Sequence, residues 1–121
     1  ELETGVVRLK TRPQFLFVRG GLTQRRKTLV VQARQRRGSH VIGAGFTATK
    51  KVGNAVTRNR AKRRLREAAY HLLPIHGQHG CDYVFIARLD TATIEWQRLL
   101  DDMESALISL ANNFSVGPGS A

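Results

Sequence analysis

The sequence predicts an α+β fold, a two-layer sandwich in which helices pack against one sheet. Two segments, 54–73 and 94–112, repeat apolar residues at helical spacing. Two others, 28–33 and 82–88, are short runs rich in β-branched or aromatic residues, which are typical of strands. A chain of 121 residues suits a single domain, and we expect residues 1–114 to form it.

The first part of the domain is predicted to hold a short helix followed by a hairpin. Residues 12–19 carry a proline suited to a first helical turn and stop at two glycines, which predicts a helix. Residues 28–33 and 40–49 are predicted strands that pair across a polar turn at 36–39. Glycines in the second strand indicate the close approach of another backbone or a ligand.

The second part is predicted to hold a basic helix, a strand and a last helix. Asn54 is a good N-cap for a helix that ends at Pro74. Its predicted buried stripe consists of Ala61, Leu65, Ala68 and Leu72. Residues 82–88 are almost continuously apolar, which is typical of a strand buried on both faces and parallel to a neighbour. The amphipathic helix at 94–112 is expected to begin at an N-cap, Thr93.

Charge divides the chain into a basic part and a mildly acidic part. Twenty Lys and Arg against nine Asp and Glu give a formal net charge of +11. Eighteen of the basic residues lie between Arg8 and Arg66, and no Asp or Glu occurs between Glu3 and Glu67. Because an ordinary solvated surface mixes both signs, this distribution predicts a polyanionic partner. Nucleic acid is favoured over a membrane, since the basic helix carries small Ala residues where membrane anchors would be needed.

The sequence contains no motif for catalysis by the protein alone. The four His residues and Cys81 form no metal-binding or nucleophile pattern, and the basic half has no carboxylate. We expect Cys81 to be a small buried residue at a strand start and the His residues to lie in loops or on the surface. A lone Cys, no export signal and no apolar run of about 18 residues together predict a soluble, cytoplasmic protein without a cofactor of its own.

Residues 50–67 resemble the signature of the bacterial ribonuclease P protein component. The similarity is carried by Lys50-Lys51-Val52-Gly53-Asn54-Ala55-Val56, Arg58-Asn59-Arg60, Lys62-Arg63 and Leu65-Arg66-Glu67. It extends weakly to Arg8-Leu9-Lys10, Phe15, Gly45-Phe46-Thr47 and the strand at 82–88. The resemblance implies the element order α-β-β-β-α-β-α, with a left-handed βαβ crossover around the basic helix.

The resemblance also implies a function. The family assists an RNA enzyme that removes the 5′ leader of precursor tRNA, and the RNA subunit performs the hydrolysis with magnesium. The implied contacts to the catalytic RNA are Lys50, Lys51, Asn54, Arg58, Asn59, Arg60, Lys62, Arg63 and Arg66. The leader is implied to lie in a cleft between the first helix and the open sheet face. The implied leader-binding residues there are Phe15, Val18, Leu29 and Val31.

Alternatives stay open at this level. A structural or ribosomal RNA-binding protein would share the basic helix without stimulating cleavage, and a stand-alone nuclease would cleave without added RNA. The cleft residues could also be core residues, an interpretation favoured for Phe17. Where many relatives carry a second aromatic, this chain has Val18 or Arg19. Residues 115–121, rich in Gly, Pro and Ser, are expected to form a flexible tail.

Overall fold

A computed structural model of the protein describes residues 5–36 and 40–115, which form a five-stranded mixed sheet and three α-helices. The elements are β1 (Val6–Arg8), α1 (Arg12–Arg19), β2 (Leu22–Arg25), β3 (Leu29–Gln35), β4 (Ile42–Thr47), a 3₁₀ turn (Lys50–Val52), α2 (Ala55–His76), β5 (Cys81–Ala87) and α3 (Trp96–Ser115). The α+β class and the sandwich are confirmed. The predicted tail lies outside the described residues except for Ser115, which ends α3.

The order of strands in the sheet is β1-β4-β5-β3-β2. β5 is parallel to β4, which confirms the predicted parallel pairing, and antiparallel to β3. The predicted hairpin of β3 with β4 is therefore wrong, because β5 lies between them. A strand that is apolar on both faces is most stable in the middle of a sheet, where both of its edges are also paired. The hairpin that does form joins β2 to β3.

Helix α2 joins the parallel neighbours β4 and β5, so the predicted βαβ crossover is present. Its left-handed sense stays a prediction from the resemblance. The strand β1, which the predicted order lacks, pairs in parallel with β4 at the edge of the sheet. Three residues are too few to show an alternating pattern, which is why β1 could not be recognised in the sequence.

The main core lies between the sheet and the pair of helices α2 and α3. Alternate residues of the central strands face it, and the rings of Phe46 and Phe85 stack there with centroids 5.5 Å apart. The predicted stripe of α2 is buried at Ala61, Leu65 and Ala68. It ends on Leu73 rather than on Leu72, which is only half-buried. The other sheet face carries a small cluster of Leu9, Val18 and Val84, covered by α1.

Several helix boundaries differ from the prediction. Asn54 caps α2 as expected, with its Oδ1 accepting a hydrogen bond from the Thr57 amide at 2.9 Å. Pro74 does not end α2, which continues to His76, because a proline in the last turn removes only one intrahelical hydrogen bond. The predicted cap Thr93 lies in a turn before α3, and the Leu99 amide instead donates to the carbonyl of Glu95. No helix within the described residues is both long and apolar enough to cross a membrane.

Candidate RNA interface

The basic signature begins where β4 leads into α2. Lys50 and Lys51 are exposed on the 3₁₀ turn. Gly53 then adopts a φ of 148°, a conformation open to glycine and costly for other residues. Its carbonyl accepts a hydrogen bond of 2.8 Å from the guanidinium of Arg58. These contacts fix the turn, so both lysines are held beside the N-terminus of α2.

The cations of α2 occupy the sides of the helix that the core does not cover. Asn59, Arg60 and Arg63 are exposed. A second row, spaced by four residues along the flank of the helix, is half-buried and consists of Arg58, Lys62 and Arg66. The structure thus brings the nine predicted RNA contacts together on one turn and one helix. The side chain of Asn54 has a structural task there, since its oxygen caps the helix.

Arg64 is the exception among the arginines of α2. Its guanidinium donates hydrogen bonds to the backbone carbonyls of Thr91 and Ile94, and its Cζ lies 5.8 Å from the centroid of the Trp96 ring. Burial, followed by the nearby charge of Arg60, lowers the pKa of Arg64. This arginine ties α2 to the segment before α3, which agrees with its absence from the predicted contacts.

No Lys or Arg of the signature forms an ion pair with an Asp or Glu among the described residues. The ion pairs found in residues 5–36 and 40–115 join Arg36 to Asp82, His76 to Glu104 and Arg98 to Asp102. None of these pairs involves a residue of the 3₁₀ turn or a Lys or Arg of α2. Their charge is therefore available to an external anion.

A hollow of about 290 Å³ lies beside α1 on the sheet face opposite to α2 and α3. It is lined by Phe15, Arg19, Gln32, Thr47, Val84 and Ile86. Phe15 is half-buried and rests against the backbone of β4, where Gly45 leaves room for its ring. We call this hollow the α1 cleft, and it coincides with the place expected for the leader.

Three of the predicted cleft residues do not face the cleft. Leu29 and Val31 are fully buried in the main core, on the helix-covered face of β3. Val18 is fully buried beneath α1. Side chains alternate along a strand, and the cleft side of β3 belongs to its even-numbered residues, so Leu29 and Val31 face away from the α1 cleft. Gln32, a polar residue inside an apolar strand, was the signal that marks this side.

The aromatic residue Phe17 lies on the opposite flank of α1 from Phe15. It is half-buried against the small cluster, and the guanidinium of Arg34 lies 4.4 Å from its ring centroid. Arg34 also donates a hydrogen bond of 3.1 Å to the Phe17 carbonyl. Phe17 therefore serves packing in part, as favoured from the sequence, and also supports a cation at the surface.

Cys81 and the four His residues are the candidates for catalysis that the sequence offers. Cys81 is buried at the first position of β5, which confirms the prediction, and burial raises the pKa of its thiol to about 11. His76 contacts Glu104 at 2.9 Å, whereas the other three His residues are exposed. In the part of the chain that is described, no three His, Cys, Asp or Glu side chains are grouped closely enough to hold a metal ion.

Comparison with known proteins gives consistent results for sequence and fold. The sequence profile of the family Ribonuclease P matches residues 5–111. The ribonuclease P protein component of Caulobacter vibrioides (strain NA1000 / CB15N) is 53% identical over 111 residues, which cover 91% of this chain and 74% of that protein. The component of Ruegeria pomeroyi is 48% identical over 110 residues, with 88% of both chains covered. A solved structure of a Staphylococcus aureus RNase P protein mutant with defective mRNA degradation activity superimposes with a TM-score of 0.73 at 25% identity, covering 87% of each chain.

Proposed function

This chain belongs to the ribonuclease P protein family, and on that premise we propose that it binds two RNAs, the catalytic RNA of ribonuclease P and the 5′ leader of precursor tRNA. Membership indicates a subunit of an endoribonuclease that acts in tRNA processing. The observation that carries the proposal is the set of unneutralised cations that the signature places on one turn and one helix.

The surface of α2 suits the phosphates of a folded RNA. Arginine side chains on a rigid helix form forked, charge-assisted hydrogen bonds to phosphate oxygens, and Arg60 and Arg63 are exposed for this. Lys50 and Lys51 add point charges next to the positive end of the helix dipole. Each phosphate that is neutralised releases counterions, so we expect the affinity for the catalytic RNA to fall steeply with salt.

The α1 cleft suits an unpaired strand. Phe15 offers a partly exposed aromatic ring, and Val84 and Ile86 form an apolar floor beside it. Unpaired bases stack on such rings with little regard to sequence, while nearby cations hold the backbone. Arg19 at the rim is the cation in reach of the backbone of a bound leader. Gln32 adds amide groups that can form hydrogen bonds with a base edge.

The proposal assigns the hydrolysis to the RNA subunit, which would use magnesium that it binds itself. The role of this protein is then to hold the leader and the catalytic RNA in a fixed relation, since the cleft and α2 are built on the same sheet. Such positioning raises the rate of an RNA-catalysed step by orientation. The maturation of tRNA would place the protein in the cytoplasm.

A reconstitution tests the proposal directly. Precursor tRNA is incubated at low magnesium with a bacterial ribonuclease P RNA and the protein, and each component is omitted in turn. We expect cleavage to be faster with both components than with the RNA alone. The variant Arg60→Ala with Arg63→Ala should lose most of the stimulation, whereas Arg98→Ala on α3 removes one exposed cation outside the basic surface and should not.

Two other functions are separated by the same experiment. An RNA-binding protein with a structural or ribosomal role would bind RNA but leave the cleavage rate unchanged, which would overturn the proposal. Cleavage of RNA by the protein alone would support a nuclease. This candidate is kept because the Staphylococcus aureus relative is described as a mutant defective in mRNA degradation.

A further inference from the structure

A second groove, of about 540 Å³, lies at the edge of the sheet formed by β1. It runs between β1, the start of α1 and the C-terminal half of α2. Its lining consists of Val7, Arg8, Lys10, Thr11, Gln14 and Tyr70. We call it the β1 groove. None of these residues lines the α1 cleft or belongs to the basic signature.

Tyr70 connects the β1 groove to the basic surface of α2. It follows Arg66 by four residues, as Arg66 follows Lys62, so the cationic row of α2 leads directly to it. Tyr70 is half-buried: it packs against the main core and also lines the groove. Contact with the core holds the ring in place, and a fixed ring loses little entropy when a ligand stacks on it.

Two cations line the β1 groove together with Tyr70. Lys10 is exposed, and Arg8 is exposed with its Cζ 5.9 Å from the centroid of the Phe46 ring. Neither forms an ion pair with any residue of the described ranges. The loop that carries Lys10 is held in position, because its amide donates a hydrogen bond of 2.7 Å to the side-chain oxygen of Gln14.

We propose that the β1 groove binds an unpaired nucleotide of the catalytic RNA, with its base stacked on Tyr70 and its phosphates beside Arg8 and Lys10. The inference rests on the proposed function and extends the RNA-binding surface beyond the signature. An aromatic ring with two cations at its side is the arrangement that binds single-stranded nucleic acid without reading its sequence. The exposed Val7 adds apolar contact for the base.

Continuity favours the catalytic RNA over the leader as the occupant. The row of α2 from Arg58 to Arg66 would already lie on the catalytic RNA, and the groove begins one turn further along that row. The α1 cleft and the β1 groove share no lining residue: Phe15 and Arg19 of α1 line the cleft, whereas Thr11 and Gln14 line the groove. A leader bound in the cleft would therefore leave the β1 groove free.

Equilibrium binding of the whole protein tests this inference. Affinity is measured for the catalytic RNA alone, for precursor tRNA with a leader and for mature tRNA. Tyr70→Leu keeps an apolar contact with the core but removes the stacking surface, and we expect it to weaken binding of the catalytic RNA at least about fivefold. Tyr70→Phe keeps the ring and should bind within about twofold of the unchanged protein. Thermal unfolding checks that both variants remain folded.

The two cations of the β1 groove allow a second, independent test of the inference. Arg8→Gln with Lys10→Gln should reduce the salt dependence of binding by about 1.4 in slope, at roughly 0.7 per phosphate contact on a single strand. Arg98→Gln, which removes one exposed cation of α3, is the control and should leave the slope unchanged. A folded Tyr70→Leu variant that binds the catalytic RNA normally would overturn the inference, and so would a loss confined to precursor tRNA.

Arg60→Gln separates this inference from the proposed function. If Arg60→Gln weakens binding of the catalytic RNA while the groove variants do not, the groove assignment fails and the proposed function stands. If Arg60→Gln also binds normally, the proposed interface on α2 itself fails. An equal loss in Tyr70→Leu and Tyr70→Phe would assign the contact to the hydroxyl and overturn the stacking geometry.

Discussion

The ring of Phe15 lies against Gly45 so closely that a Cβ atom at position 45 would be 2.6 Å from Cζ of the ring. Carbon atoms of a side chain do not approach this closely without displacement. The absence of a side chain at Gly45 is therefore what allows the tip of the Phe15 ring to lie against β4 at the α1 cleft. A side chain at position 45 of β4 would therefore displace the ring of Phe15 in α1.

The first prediction uses this coupling. Gly45→Ala should displace the Phe15 ring and lower the free energy of unfolding by about 1–3 kcal/mol, the usual cost of overpacking. It should also weaken binding of precursor tRNA relative to mature tRNA, because the ring leaves the cleft. Chemical denaturation and equilibrium binding measure the two effects separately.

The double variant Gly45→Ala with Phe15→Leu is the control for this prediction. The smaller leucine leaves space for the new methyl group, so stability should recover relative to Gly45→Ala alone, whereas discrimination between precursor and mature tRNA should stay low. A double variant that also regains leader binding would show that Phe15 does not contact the leader.

The glycines of β4 illustrate how far the sequence could predict this site. They predicted the close approach of another backbone or a ligand, whereas the group that lies against Gly45 is the ring of Phe15. The local pattern of β3 does not show which of its sides faces the α1 cleft either. Leu29 and Val31 are as apolar as any strand residue, and only the pairing with β5 shows which face they occupy. A shift of one residue reverses the face of every side chain in a strand.

The second prediction compares two adjacent arginines of α2. Arg63 is exposed, whereas Arg64 donates to two backbone carbonyls. Arg64→Ala should lower the free energy of unfolding by about 1–3 kcal/mol, because it leaves the carbonyls of Thr91 and Ile94 without these donors. Arg63→Ala should change stability by no more than about 0.5 kcal/mol. Denaturant titrations of both variants provide the comparison.

The two variants should affect binding of the catalytic RNA in the opposite order to their effects on stability. Arg63→Ala is expected to lower the salt dependence of binding by roughly 0.7–0.9 in slope, the value for one lost phosphate contact. The Arg64→Ala variant, where it remains folded, should bind with the same salt dependence as the unchanged protein. If Arg64→Ala lowered the salt dependence of binding and Arg63→Ala did not, Arg64 would be the RNA-binding residue and Arg63 the structural one.

Helix limits and caps could be predicted from the sequence, whereas the pairing of the strands could not. The limits of α1 and the cap at Asn54 follow from short-range signals, and the structure agrees with both. The pairing of β3 with β5 joins residues about fifty positions apart, and no local feature encodes it. The predicted hairpin of β3 with β4 does not form, because strands that are neighbours in the chain need not be neighbours in the sheet.

The third prediction concerns the thiol of Cys81. The residue is fully buried in β5, and burial raises its pKa to about 11, so little thiolate exists near neutral pH. In the folded protein at pH 8, a disulfide reagent should therefore react with Cys81 only as fast as the structure opens. Denaturant should raise the labelling rate to that of a free thiol. Rapid labelling of the folded protein would contradict the buried position.

The fourth prediction concerns the pH dependence of stability at Asp82. Its carboxylate pairs with Arg36 almost out of contact with water. Burial raises its pKa above the ordinary value of 3.8, and the charge of Arg36 opposes this shift without overcoming it. The folded protein then binds a proton at a higher pH than the unfolded chain does. Asp82 therefore contributes stability at acid pH that is lost as pH rises through the raised pKa.

Asp82→Asn removes this titration while keeping the shape of the side chain. The free energy of unfolding of the unchanged protein, minus that of the variant, should increase as pH falls from neutrality through the raised pKa of Asp82 towards 3.8. Subtracting the two curves cancels the other carboxyl groups, so the sign of the difference isolates this residue. A difference that decreases as pH falls would mean that Arg36 lowers the pKa of Asp82 more than burial raises it.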